Sequence, residues 1–364
     1  MSIHPTAIIK PGAKIGKGVE IGPYSVIGAH VVIGDGCRIH HQVSIDGYTT
    51  LGEQCEVFPQ AVLGSPPQDV KYSGEKTRLD IGKRNIIREM VTAHPGTGNG
   101  GGVTTIGDGN LFLIGVHVAH DCQIGNNCII ANYVQFAGHV HLEDNVNMGG
   151  HCAVHHFVTV GRHAFVGGMT RVSADVPPFM VVVAARGSRA ETRMVNGVGL
   201  QRSGFSEHDI SALKAAHIRI FSRRARLSGL GIRDRVQALL EEESSNKHVQ
   251  YLCEFLMRSF AHGRHGRYLE SLRADPVHRD SWKLNNKHTL TVKVVGAGSV
   301  DRTSNDSSAK DKDTLRLMAK ADPGWGFAGW NGSLSGSSNP VDVLVDRDKS
   351  VTATFTPNAR QVSS

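Results

Sequence analysis

Eight of the chain's 20 histidines crowd together: His117, His120, His139, His141, His151, His155, His156 and His163. Imidazole changes charge near neutral pH, so it serves as a general base or as a metal ligand. The stretch Gly115-Val116-His117-Val118-Ala119-His120-Asp121-Cys122 sets two histidines three residues apart, with a carboxylate directly after the second. A carboxylate there selects the ring tautomer and steadies the imidazolium. Two chemistries stay open on these residues. His120 can take a proton from a substrate hydroxyl that attacks an acyl thioester. Alternatively, the histidines can hold a metal ion, which needs converging nitrogens at about 2.0–2.1 Å.

These side chains need a frame, and the sequence supplies one with a period of six. From Ile106 the steps fall on Phe112, Val118, Ile124, Ile130, Phe136, Leu142, Met148, Val154, Val160, Val166 and Val172. Earlier, Ile3 begins a run through Ile9, Ile15, Ile21, Ile27, Ile33, Ile39, Ile45, Leu51, Val57 and Leu63. Neither a helix nor an ordinary strand gives this spacing. It marks a parallel β-solenoid, one short strand and one turn per hexad, with Gly and Asn expected at the corners. Three hexads make a coil, so position 120 stacks on Gly138 and then on His156. His139 and His155 lie one residue off that column. The Gly138 N–H is then placed to face a developing oxyanion.

The rhythm lapses over residues 64–78 and again through Pro95-Gly96-Thr97-Gly98-Asn99-Gly100-Gly101-Gly102. Such lapses read as loops extruded from one edge of a rigid scaffold, and long loops on scaffolds often carry function. The solenoid is expected to end at Asp175-Val176-Pro177-Pro178, because paired prolines cannot continue a ladder. From Ser206, a plausible N-cap with Asp209 three residues on, the pattern turns helical, with Ile210, Leu213, Ile218 and Phe221 on one face. Helices are also expected over 231–243 and 246–261. After a linker near 275–286, alternating stretches such as Val341-Asp342-Val343-Leu344-Val345 read as strands of a small all-β module. The polar segment 301–312 reads as a loop. The division expected is 1–180 solenoid, 181–275 helical tail and 287–358 β module, a mainly β chain.

Composition narrows the function classes. The formal charge is +7, yet no run of Lys and Arg interleaves with aromatics, which argues against nucleic-acid binding. Arg162, Arg171, Arg219, Arg223, Arg224 and Arg226 can meet an acidic partner or simply solvate a helix face. Six cysteines lack C-x-x-C spacing and read as small core residues in a reducing compartment. No apolar run reaches the roughly 20 residues that span a bilayer, and the opening Met1-Ser2-Ile3-His4-Pro5 shows no signal-peptide pattern. The expectation is a cytoplasmic protein.

The phrases His117-Val118-Ala119-His120-Asp121-Cys122, Ala137-Gly138-His139-Val140, Ala153-Val154-His155-His156-Phe157 and Asp175-Val176-Pro177-Pro178 resemble the bacterial UDP-N-acetylglucosamine O-acyltransferases. So do Gln68-Asp69-Val70-Lys71-Tyr72, Glu89-Met90-Val91-Thr92-Ala93-His94 and Gly199-Leu200-Gln201-Arg202-Ser203-Gly204-Phe205. The likeness covers about residues 1–268. It implies a left-handed β-helix, a handedness the spacing alone does not give. It also implies a homotrimer with sites between neighbouring prisms.

The implied reaction is transfer of an (R)-3-hydroxyacyl group from acyl carrier protein to the 3-hydroxyl of UDP-N-acetylglucosamine, the first step of lipid A synthesis. No cofactor is implied beyond the carrier's own phosphopantetheine arm, and no metal. By motif, His120 is the general base, Asp121 its partner and Gly138 N–H the oxyanion donor. Gln68, Asp69 and Lys71 would meet the nucleotide sugar. His94, His117, His139 and His155 would line the cleft, with His156 standing where the family has Gln. Gly168 would sit at the floor that measures the acyl chain, and a small residue there suggests 12 carbons or more. Asn196 and Arg202 would hold the uridine diphosphate end from a neighbouring subunit. Ser203 replaces a usual Arg, and Val198 a usual Glu.

Residues 287–358 resemble the divergent repeats first named from internalin B, on Phe327-Ala328-Gly329-Trp330-Asn331-Gly332 and Ser350-Val351-Thr352-Ala353-Thr354-Phe355. Two other readings remain beside the acyltransferase. One is a metalloenzyme like the γ-class carbonic anhydrases, which also use hexad solenoids. The other is a trimeric scaffold that presents the β module.

Overall fold

The computed structural model describes residues 2–184, 190–242, 246–262, 266–270, 287–302, 308–310, 313–345 and 349–358. Two units emerge, Met1–Leu284 and Asn285–Ser364. The expected linker near 275–286 lies outside the described residues.

The first unit is a left-handed β-helix of three parallel sheets. Its first face runs from Ser2–Ile3 to Phe165–Val166, its second from Ile8–Ile9 to Arg171–Val172, and its third from Lys14–Ile15 to Thr159–Val160. Most hexads supply a two-residue strand, and Tyr48–Leu51, Arg78–Ile81 and Val103–Ile106 are longer. The second residue points inward and is buried, as with Val118, Ile124, Ile130 and Phe136. Residues 18 apart pair between coils, for example His117 with Gln135 and Val118 with Phe136. Their backbones lock through bonds such as His117 N–H to Val134 O at 3.0 Å. The interior is one continuous apolar column, in which stacked β-branched side chains remove surface from water at about 25 cal/mol per Å2.

The turns depart from expectation. Every sixth residue from Asp121 to Met169, including Asn127, Tyr133, His139 and His163, has a positive φ near 60°. Gly and Asn are therefore not required there. The backbone of each corner is pinned by the coil before it, as Tyr133 N–H to Ile114 O at 2.8 Å shows, and this offsets a cost of roughly 1 kcal/mol per left-handed residue. Asp121 and His139 are two of these corner residues.

Both rhythm breaks leave the same edge. Residues 64–77 and 94–102 each follow a second-face strand (Val62–Leu63, Thr92–Ala93) and precede a third-face strand (Arg78–Ile81, Val103–Ile106). Pairing survives the insertions, with Val62 beside Thr92 and Thr92 beside His117. The next corner on that edge carries His120, and the following ones carry Gly138 and His156.

The proline pair does not end the sheet. Val176 still bridges to Val160, and Met180–Ala184 adds to the first face, pairing Val181 with Phe165. Ala190–Val195 then returns antiparallel. Helices follow, among them α1 Gly197–Arg202, α2 Glu207–Phe221, α3 Arg223–Arg226, α4 Ile232–Glu241 and α5 Lys247–His262. Ser206 caps α2 as expected, accepting Asp209 N–H at 3.1 Å. Its buried face is Ile210, Leu213, Ala216 and Ile220, whereas Ile218 is 60% exposed. The tail anchors on the third-to-first edge, where the Tyr251 hydroxyl bonds Glu143 and Arg162 lies 4.0 Å over the Tyr251 ring.

All six cysteines are buried, and no disulfide joins them. No helix among the described residues is long and apolar enough to cross a membrane.

The second unit has a four-stranded sheet (Ser308–Lys310, Lys287–Val295, Lys349–Pro357, Trp325–Gly332) and a three-stranded one (Gly298–Arg302, Asp313–Ala321, Val341–Val345). The expected loop at 301–312 thus includes strand residues at both ends of the stretch that is not described. Leu290, Leu317, Trp330, Val345, Val351 and Phe355 form its core.

Candidate active site

On the second-to-third edge, His120 Nδ1 lies 2.8 Å from Asp121 Oδ2. An ionised carboxylate only accepts, so Nδ1 carries the proton and Nε2 keeps its lone pair. Asp121 is itself buried and held from the second loop. Thr97 N–H donates to Oδ1 at 2.9 Å and Thr97 Oγ1 donates to Oδ2 at 2.7 Å. Asp121 N–H donates to Thr104 Oγ1 at 2.8 Å, which fixes the corner backbone. The loop must be glycine-rich to come this close. A Cβ at Gly100 would lie 2.0 Å from Asp121 Oδ2, and one at Gly96 would lie 2.7 Å from Oδ1.

The His120 ring lies against Gly138 in the next coil. No acceptor among the described residues takes the Gly138 N–H. His139 meets His120 edge-on at 5.2 Å, stacks on Phe157 at 4.3 Å, and brings Nε2 to 3.8 Å from Asp121 Oδ2. His120 Nε2 faces the first loop, with Asp69 Oδ2 3.9 Å away. Asp69 shapes that loop by accepting Lys71 N–H at 2.9 Å.

A cleft of about 400 Å3 opens beside His120, lined by Gln68, His94, His117, Gln135, Phe136 and Gly138 among others. His94 Nδ1 sits 3.0 Å from Ser65 O and 2.9 Å from Pro66 O, so it carries the proton. The buried His94 Nε2 is left as an acceptor without a partner among the described residues. His117 Nδ1 meets Thr92 Oγ1 at 2.8 Å. Burial, then the neighbouring His94 and His120, push the His117 imidazole down to about 4, so it stays neutral at physiological pH.

The single chain gathers Gln68, Asp69, His94, His117, His120, Asp121, Gly138 and His139. Lys71 is exposed on the same loop. His155, one coil on, faces a separate depression of about 510 Å3 with Arg171 and Asp175, and the neighbouring His156 is exposed. Gly168 lies on the first-to-second edge, exposed beside Met169. Asn196 belongs to the third-to-first edge: it caps α1 through Gly199 N–H at 3.2 Å and donates to His163 O at 2.9 Å. Arg202 is exposed at the end of α1. Among the basic residues, Arg219 is spent on Glu242 at 2.5 Å and Arg162 on Glu143 and Tyr251, while Arg223 and Arg224 are exposed.

Sequence reasoning missed Thr97, Thr104 and Glu75. The Glu75 carboxylate reaches from the first loop to Gly98 N–H in the second at 2.7 Å. Burial pushes its carboxyl up, but donors from Gly98 and Ser73 outweigh that and hold it below its usual range. The one available signal was that both loops interrupt the repeat after the same face.

The arrangement offers a lone-pair nitrogen with a fixed tautomer, a free N–H beside it, and a cleft sized for a small polar molecule. His120, Asp121 and His139 also each bring one potential metal-ligand atom within 4.8 Å of one another.

Three family descriptions match: "Udp N-acetylglucosamine O-acyltransferase; Domain 2" over residues 175–264, "Bacterial transferase hexapeptide (six repeats)" over 104–138, and "Divergent InlB B-repeat domain" over 288–359. The acyl-[acyl-carrier-protein]–UDP-N-acetylglucosamine O-acyltransferase of Nautilia profundicola is 47% identical over 58% of this chain and 78% of its own length. The protein of that name from Anaeromyxobacter is 46% identical over 70% and 96%. The solved UDP-N-acetylglucosamine acyltransferase of Campylobacter jejuni is 35% identical, with a TM-score of 0.65 over 70% of this chain and 96% of that one. At these identities over most of the relatives' length, with the same solenoid and helical tail, the chain belongs to the UDP-N-acetylglucosamine O-acyltransferase family.

Proposed function

We propose that this protein transfers an (R)-3-hydroxyacyl group from acyl carrier protein to the 3-hydroxyl of UDP-N-acetylglucosamine, opening lipid A synthesis in the cytoplasm. The observation that carries the reading is the His120–Asp121 pair, with Nε2 aimed at a cleft built from both inserted loops. His120 Nε2 removes the sugar hydroxyl proton as that oxygen attacks the thioester carbonyl. The oxyanion gains the Gly138 N–H, and Asp121 steadies the imidazolium. Collapse forms the ester and breaks the carbon–sulfur bond. The imidazolium then returns the proton to the departing phosphopantetheine thiolate, so no cofactor is consumed.

Gln68, Asp69 and Lys71 hold the nucleotide sugar, with the Lys71 ammonium suited to a diphosphate. His94, held in one tautomer by two carbonyls, and the neutral His117 orient the sugar, His139 packs on the base, and His155 and His156 meet the substrates one coil further along the same edge. Gly168 and Asn196 occupy other edges of the same prism and Arg202 the end of α1, so in this reading a homotrimer brings a neighbour's copies of them to His120. The six buried, unpaired cysteines accord with a reducing compartment.

A metal centre would draw on His120, Asp121 and His139, but Thr97 and His120 already occupy the Asp121 oxygens as donors. The test is an assay of purified full-length protein with UDP-N-acetylglucosamine and 3-hydroxyacyl carrier proteins of several chain lengths, with and without a chelator. The reading expects an O-acylated nucleotide sugar in both arms. No product at any length overturns it, and loss of product with chelator, restored by added metal, favours the metal centre.

A further inference from the structure

We propose that Thr97 is a positioning residue for the base, acting through Asp121, and that Glu75 holds Thr97 in place. The inference deepens the acyl-transfer reading and rests on it.

Asp121 can orient His120 only if its carboxylate cannot swing about its own side-chain bond. A single hydrogen bond from His120 Nδ1 leaves that rotation free. Thr97 removes it, because one residue grips both oxygens, with its N–H on Oδ1 and its hydroxyl on Oδ2. The grip is sheltered, since Thr97 is 2% exposed. Side chains at positions 96 and 100 would strike the carboxylate, so the loop closes around the group Thr97 holds.

Thr97 is itself in a loop and needs an anchor. Glu75 supplies it through Gly98 N–H at 2.7 Å, while its other oxygen takes Ser73 N–H at 2.8 Å and Ser73 Oγ at 3.2 Å. The loop that carries Asp69 and Lys71 is thereby tied to the loop that sets the tautomer of His120. Seating a substrate on the first loop and aligning the base become one mechanical event.

The test compares wild type, Thr97→Val, Thr97→Ser and Glu75→Ala as full-length protein, all checked by melting temperature. Removing a hydrogen bond to a charged group costs roughly 10- to 100-fold in the step it serves. Thr97→Val is expected to lower kcat by that factor with KM within about threefold, and Thr97→Ser to recover kcat. Glu75→Ala, which leaves Thr97 and Asp121 intact, is expected to lower kcat in the same direction but less.

A readout independent of turnover is the solid-state 15N spectrum of histidine-labelled protein, with His120 assigned by subtracting a His120→Gln spectrum. Wild type should show His120 protonated at Nδ1 alone, and Thr97→Val a mixture of tautomers. Wild-type kcat in Thr97→Val, a Thr97→Ser enzyme no better than Thr97→Val, or an unchanged His120 tautomer each overturns the proposal. If wild type transfers no acyl group, the reaction assigned to the site fails. The tautomer comparison then still decides whether Thr97 sets His120. Should Thr97→Val not fold, Thr97→Ser and Glu75→Ala decide it: a tautomer unchanged in Glu75→Ala overturns the proposal.

Discussion

Gly138 leaves the space that the His120 imidazole fills: a Cβ at position 138 would lie 2.4 Å from His120 Cε1 and 2.6 Å from its Nε2. The ring is therefore held by absence of a side chain in the next coil as much as by Asp121. Gly138→Ala needs no left-handed backbone, so the chain should still fold. It should push the imidazole out of line and lower kcat by about 100-fold or more, since a misplacement near 1 Å is costly in a preorganised site. A steady-state assay checks this beside a melting curve, which should move by only a few degrees.

Burial holds His117 neutral, with its imidazole down to about 4 against an ordinary 6.5. Between these values the unfolded chain binds more protons than the folded one, so stability rises with pH across that window. The contribution is fully present above pH 6.5 and is lost as pH falls toward 4. Denaturant melts at pH 7 and pH 5 should show wild type weaker at pH 5. His117→Gln should narrow that difference.

Gly168 is exposed, and a Cβ there would approach Gly150 O at 3.3 Å, a contact that a small shift relieves. Gly168→Met should fold and should shorten the preferred acyl chain, read by competing 3-hydroxyacyl carrier proteins of different length. Unchanged selectivity would remove Gly168 from the acyl floor.

The β module has its own core around Trp330 and is a compact unit by itself. Deleting residues 285–364 should leave kcat and KM within about twofold of the full chain. A large loss would assign the module a part in catalysis or assembly.

Much of this was legible because the hexad leaves one buried apolar residue per step, so Val118, Ile124 and Ile130 announce a coil from the sequence alone. His120 and Asp121 were legible as adjacent donor and acceptor. Gly138 was placed by counting three hexads. The corner residues were not legible. Tyr133, His139 and Met169 take a conformation usually left to Gly, because bonds to the previous coil fix the turn whatever the side chain. The sheet also outlasts Pro177-Pro178, since the next strand finds Phe165 as a partner beyond them. Thr97 was hidden for a different reason. A loop carries no periodicity, so nothing in its sequence says which corner it folds back to hold.

If His120 Nε2 removes the sugar proton, His120→Ala must cripple single-turnover acyl transfer with the donor and acceptor saturating. A fall of at least about 1,000-fold in the chemical step is expected, with the assembly and nucleotide-sugar binding retained. A variant that transfers the acyl group within about tenfold of wild type would contradict it.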